Sequence, residues 1–119
     1  MSQKQYDLSN RPDHLNDMVL VYEDTLPVAC GAFKKYDEST VEIKRILVRK
    51  EYRHQGISKS ILRELEGTAR EAGYTYAVLE TGKKQFEAIG LSTSEGYEML
   101  QNYGPYARKE NSICMRKAL

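Results

Sequence analysis

The sequence predicts an α/β (α+β) domain: a mixed, mostly antiparallel sheet with helices packed on it. Three observations carry that prediction. Short apolar, β-branched runs separated by short turns fill residues 18–48, as in an antiparallel meander. The apolar period then becomes helical at Ile57, Ile61, Leu62, Leu65 and Ala69. A further strand-like run, Tyr76–Glu80, follows that helix. Strand, helix and strand make a βαβ unit, whose two strands run parallel.

Residues 1–17, with Asn10, Pro12, Asp13, Asn16 and Asp17, are polar and turn-rich. They read as an irregular arm with at most one short ordered segment. A single domain over 18–119 follows. Met18–Tyr22 is its first strand, Glu23–Pro27 a turn, and Val28–Phe33 the second strand, with room to extend to Tyr36. Asp37, Glu38 and Ser39 turn the chain into Thr40–Val48, completing a three-stranded meander. In the first helix Lys59, Arg63, Glu64, Glu66 and Arg70 fall on the side away from the apolar stripe, and Gly73 is placed for a left-handed cap. Gly67 costs that helix about 1 kcal/mol relative to Ala, and the sequence offers no reason for it. Gln85–Glu95 reads as a second helix, with Phe86, Ile89 and Thr93 on one side and Gly96 as its stop. Tyr97–Leu100 and Ser112–Lys117 are two closing strands.

Composition excludes several classes. Lys and Arg number 18 and Asp and Glu 17, a formal charge of +1, which argues against nucleic-acid binding through bulk charge. Cys30 and Cys114 lie in apolar runs without metal-ligand spacing. No signal-like segment and no membrane-length apolar span is present, so a reduced, cytoplasmic domain without metal is expected.

The stretch from Ile46 to Lys59 carries the functional signal. A β-branched run ends, a charged turn follows, and Gly56 stands where the first helix begins. A helix N-terminus there presents unpaired N–H groups and partial positive charge to an anion. Gly56 lets the anion approach the backbone, with Lys59 and Arg53 adding charge at the rim. The three spaced glycines of a dinucleotide fingerprint are missing, and so is the Gly-Lys-Ser/Thr spacing of a P-loop. A plain strand-to-helix turn with a tolerated glycine is the other reading of these residues.

Arg53-x-x-Gly56-x-Ser58 resembles the pyrophosphate loop of the GNAT (Gcn5-related) N-acetyltransferases, Arg/Gln-x-x-Gly-x-Gly/Ala, with Ser58 departing at the last position. The order of elements over 18–119 is similar to that family as well. So are Val41–Arg45 entering the strand before the loop, Leu79–Gly82 ending the next strand, and Gly96-Tyr97 after the second helix. Asn102–Tyr106 and Ser112–Lys117 look like one bacterial branch of small members. The resemblance implies a sheet splayed between its two parallel central strands, acetyl-CoA as cosubstrate and an amine as acceptor. Acetyl-CoA would be held by the backbone of Ile46, Leu47 and Val48, by the loop Arg53, His54, Gln55, Gly56, Ile57, Ser58 and Lys59, and by Gln85. For Arg53 and His54 the backbone is what counts; Gln85 reads equally as a plain helix-start residue. Family members usually begin with a strand and one or two helices, most of which this sequence does not show. The resemblance therefore implies an acceptor wall supplied otherwise, and a homodimer is expected.

Amide formation requires a proton acceptor, because an alkyl amine with a pKa of roughly 10 is mostly protonated at neutral pH. Glu42 lies eleven residues before Arg53, where many family members place the base. Strand alternation puts it on one face with Lys44, Ile46 and Val48. A strand glutamate is also commonly solvated or paired, here with Lys44 or Arg45; Glu80 is a weaker rival. Ser92 takes the position at which the family often has a tyrosine that protonates the leaving thiolate; of Tyr97, Tyr103 and Tyr106 nearby, Tyr106 is the first substitute, with water the alternative donor. Two further readings stand beside the N-acetyltransferase: a fold that binds acetyl-CoA or CoA with little turnover, and an interaction protein completed by a partner or second copy.

Overall fold

The computed structural model describes residues 4–10 and 17–119, with side chains over 18–44 and 46–119. Among the described residues seven strands form one sheet: β1 (Lys4–Asn10), β2 (Asp17–Glu23), β3 (Leu26–Asp37), β4 (Thr40–Val48), β5 (Tyr76–Gly82), β6 (Glu98–Leu100) and β7 (Ser112–Ala118). Two helices, α1 (Ile57–Glu71) and α2 (Phe86–Ser94), follow β4 and β5. The strand order is β1-β2-β3-β4-β5-β7-β6. Only β4 and β5 are parallel; every other neighbouring pair is antiparallel.

The meander has four strands rather than three. β1 lies in the segment expected as a polar arm and pairs with β2 from Lys4↔Glu23 to Asn10↔Asp17. The expectation for residues 1–3 and 11–16 lies outside the described residues. Polar composition hid β1, because an edge strand has one ladder partner and need not carry a two-faced apolar pattern.

α1 packs its stripe Ile57, Ile61, Leu62, Leu65 and Ala69 on Val19, Val21, Phe33, Val41 and Ile43 of the meander. Gly73, at φ 96°, closes it as expected, and the Tyr74 N–H donates to the Ala69 carbonyl at 3.1 Å. One position on α1 differs from expectation. Glu66 is 3% exposed, because it lies four residues after Leu62 on the apolar face. It is paired there: Lys117 Nζ stands 2.9 Å from Oε1, and the Tyr97 hydroxyl donates to Oε2 at 2.8 Å.

β3 and β4 are out of step at one point. Cys30 pairs with Leu47 and Ala32 with Lys44, so two steps on β3 answer three on β4, and β4 bulges opposite Gly31. A Cβ on Gly31 would drive into the Ile61 side chain and crowd Ile46 Cγ1 at 3.2 Å and Leu65 Cδ1 at 3.3 Å. Gly31 is thus the place where α1 comes down on the bulge. Gly67 is the opposite case, since a Cβ there meets nothing within 4 Å.

The two glycines should therefore respond with opposite signs. Gly31→Ala should destabilise by about 1–3 kcal/mol through overpacking. Gly67→Ala should stabilise by about 1 kcal/mol, raising Tm by roughly 4 °C. Thermal melts of the two variants check this.

Candidate active site

Parallel strands that feed a helix between them need not stay paired along their length. β4 and β5 pair only at Thr40↔Tyr76, Val41↔Ala77 and Glu42↔Val78. β5 continues to Gly82 along β7, while β4 continues to Val48 along β3. From Ile43 onward the two strands diverge, leaving each without a strand partner on the facing side. The gap opens into a cleft of about 1070 Å³. Its walls are β4 from Glu42 to Val48, the start of α1, the end of β5 and one side of α2.

The loop from β4 to α1 is a single 3-10 turn, Lys50–Tyr52, followed by two left-handed residues, His54 (φ 65°) and Gly56 (φ 80°). Arg53 Nε donates to the Val48 carbonyl at 3.1 Å, folding the guanidinium back on the strand end. The first helical bond of α1 runs from the Ser60 N–H to the Gly56 carbonyl. No side chain caps α1, and its first turn holds no acidic residue. The N–H groups of Ile57, Ser58 and Lys59 therefore stand at the cleft without an intrahelical partner, and no carboxylate of their own turn competes for them. A Cβ on Gly56 would meet nothing within 4 Å, so the approach to these donors is open.

Most of the residues expected to hold a cofactor line this cleft: Ile46, Leu47, Val48, Arg53, His54, Gly56, Ile57, Ser58, Lys59 and Gln85. Gln55 is the exception and is not among the lining residues. Ile46 also departs from the expected face. It packs beside Gly31 and Ile61 on the α1 side, because the bulge breaks strict alternation after Lys44. Leu47 is 63% exposed and turns an apolar surface to the cleft. His54 Nε2 stands 4.0 Å from Glu87 Oε1 of α2, both well exposed. Phe86 is exposed, and α2 packs instead through Ala88, Ile89, Leu91 and the buried Ser92.

At the other end of the cleft Glu42 and Tyr106 come together. Glu42 is 4% exposed and accepts a hydrogen bond from the Tyr103 hydroxyl at 2.8 Å. Lys34 Nζ and Lys44 Nζ each stand 3.8 Å from its other oxygen. The Tyr103 ring meets Tyr36 and Tyr106 edge-on, with centroids 5.1 and 5.6 Å apart. Burial, then the Glu42 and Glu80 charges, raises the Tyr106 phenol above its ordinary value. Burial likewise raises the Cys114 thiol. Glu80 lines the cleft and accepts a hydrogen bond from Ser112 Oγ at 2.7 Å.

The sequence places Tyr103 near the site but does not signal its bond to Glu42. Its loop is folded by Asn102, whose Nδ2 donates to the carbonyls of Lys109 and Ser112, both at 3.1 Å. No periodicity in residues 101–111 signals that fold-back, although the loop is rich in Asn, Gly, Pro and Tyr. Among the described residues no cluster of three or more His, Cys, Asp or Glu could hold a metal ion. No helix among them is long and apolar enough to cross a membrane.

Comparison with known proteins points one way. The model of the family described as "Acetyltransferase (GNAT) family" matches residues 2–97. An IAA acetyltransferase of Azospirillum brasilense is 34% identical over 93 residues, covering 77% of this chain and 61% of the relative. The chain thus spans about three-fifths of that relative's length. A Klebsiella pneumoniae structure described as an acyl-CoA N-acyltransferase has the same fold, with TM-score 0.86, 24% identity, and coverage of 100% of this chain and 98% of that one. A GNAT family acetyltransferase from Elizabethkingia anophelis with acetyl-CoA bound gives TM-score 0.79 at 17% identity, covering 99% and 98%.

One buried and one half-buried phenol set an alkaline limit on the fold. Burial first, and the neighbouring carboxylate next, raises Tyr97 and Tyr103 far above their ordinary value of 10.0. The folded state then holds protons that the unfolded state releases above pH 10, so stability falls as pH rises through that value. Tyr97→Phe with Tyr103→Phe should flatten the decline of Tm above pH 10, as read in a pH series of melts.

Proposed function

The chain belongs to the acetyltransferase (GNAT) family, and from that premise we propose that it is an acetyl-CoA-dependent N-acetyltransferase. Its acceptor would be the primary amine of a small molecule or an exposed amino group. The observation that carries the proposal is the divergence of β4 from β5 beyond Glu42↔Val78, which opens onto the uncapped start of α1. A thioester with a long amide-bearing arm and a pyrophosphate fits that shape. The β4 edge from Ile43 to Val48 offers main-chain partners to the arm. The amides of Ile57, Ser58 and Lys59 offer donors to the pyrophosphate. Arg53, His54, Gln55, Gly56 and Gln85 complete the proposed cofactor set.

Glu42 is the proposed base. It takes the proton of the amine, directly or through water, as nitrogen bonds to the acetyl carbon. The carbon–sulfur bond then breaks and its electron pair leaves on sulfur. Tyr106, held protonated by burial and by Glu42 and Glu80, is the proposed donor to that sulfur. Thiols such as cysteine have pKa near 8.5, so the thiolate is a fair leaving group and the donor's contribution should be small. Ser92 supports the alternative of binding with little turnover, since it is buried on α2 at the cleft wall and too short to reach far into the cleft. Release of CoA thiol with an amine panel separates the two readings.

We extend the proposal to a cytoplasmic homodimer. Cys114 is buried, and Met99 is 67% exposed on the edge strand β6. Light scattering should give twice the chain mass; the mass of one chain at high concentration would remove the dimer.

Two outcomes test the activity itself. Acetyl-CoA at a hundred times its Kd should stabilise the protein by about 2.7 kcal/mol, and Gly56→Glu should abolish the shift. Absence of any shift at millimolar acetyl-CoA would refute the cofactor assignment. Glu42→Gln should lower kcat/KM by roughly 10²–10⁴, with part of the loss recovered at high pH, where the amine deprotonates unaided.

A further inference from the structure

The acceptor end of the cleft carries charges of both signs on neighbouring strands. Glu42 on β4 and Glu80 on β5 supply carboxylates that line the cleft. Lys34, the register partner of Glu42 on β3, and Lys44, two residues along β4, supply ammoniums on the Glu42 face. The Lys34 and Lys44 side chains are 40% and 30% exposed, against 5% for Glu42; Lys44 lines the cleft, and Lys34, outside that lining, stands on the other side of the enclosed carboxylate's Oε1. Both ammoniums are 3.8 Å from the same oxygen, Oε1. That distance is an ion pair but longer than a hydrogen bond, so neither lysine commits a donor to Glu42. The other oxygen is occupied by Tyr103.

A plain alkylammonium entering here is attracted by Glu42 and Glu80 and repelled by Lys34 and Lys44. An amine that also bears an anionic group is attracted by both pairs. We propose, resting on the acetyl-transfer reading, that the acceptor is an anionic amine. Its amine would lie at Glu42 and its carboxylate or phosphate between Lys34 and Lys44. Tyr36, 45% exposed and edge-on to Tyr103, offers an apolar flank for the carbon skeleton between the two charges.

The test compares kcat/KM for paired acceptors: each common amino acid against its decarboxylated amine, and ethanolamine phosphate against ethanolamine. At least one charged acceptor should exceed its partner by roughly tenfold or more, the range of a hydrogen bond to a charged group. The pair with the larger ratio assigns carboxylate or phosphate. Lys34→Met and Lys44→Met, which keep the apolar stem, should each reduce that ratio, through KM rather than kcat. Ratios at or below one throughout the wild-type panel, or a ratio that neither substitution moves, would overturn the acceptor class and leave acetyl transfer standing. If acetyl-CoA shifts Tm but no amine turns over, the same pairs are compared by melting in the presence of CoA. A shift by the charged member alone then supports the proposal, and no shift by any charged member overturns it. Neither turnover nor an acetyl-CoA shift would defeat the acetyltransferase reading itself, and this proposal with it.

Discussion

β4 and β5 share a three-residue ladder and then part, and the geometry of the site depends on that parting. A parallel pair joined by a helix ordinarily stays closed, because each unpaired N–H and C=O that is not solvated costs free energy. Here the pairing on the outer sides is kept, β4 with β3 and β5 with β7, so the split removes one edge from each strand and no more. The bulge opposite Gly31 lies within the split, where β4 has lost its second neighbour. α1 then starts at the open end, with its unpaired amides pointing into the gap. Strand edge and helix terminus are both backbone features, so neither depends on which side chain stands at Ser58.

Polar contacts hold the two halves of the sheet about that gap. Glu66 of α1 binds Lys117 of β7 and the Tyr97 hydroxyl, which crosses from the meander's helix to the far strands. Arg63 adds a two-point contact to Glu95 at the end of α2, at 2.7 and 3.2 Å. With only three β4–β5 rungs, these contacts and the cover of α1 take over what a full ladder would do. Removing one partner of a buried pair commonly costs about 3–5 kcal/mol, because the other charge stays behind. Glu42 and Tyr103 repeat the device at the other end of the cleft, where the loop 101–111 closes over the strands.

Elements with a period were legible in the sequence. The bounds of β4, the start of α1 and the Gly73 cap could be read because apolar spacing and turn chemistry act locally. Glu66 was misplaced because charge was read as exposure, although its spacing from Leu62 put it on the buried stripe. Ile46 was assigned to the wrong face because a bulge depends on the partner strand and leaves no mark in β4 alone. β1 and the Tyr103 contact were out of reach for a similar reason. Each is fixed by what it meets after folding: β2 for the first, and Glu42, sixty-one residues earlier, for the second.

Amide hydrogen exchange with and without acetyl-CoA tests most directly whether the split and the helix terminus form one binding surface. The account predicts slowed exchange in two separated stretches at once, residues 43–48 of β4 and 57–60 of α1, while β2 and β3 amides exchange as before. Protection of the helix terminus alone would mean that an anion binds there without the strand edge. No protection in either stretch at saturating acetyl-CoA would contradict the account.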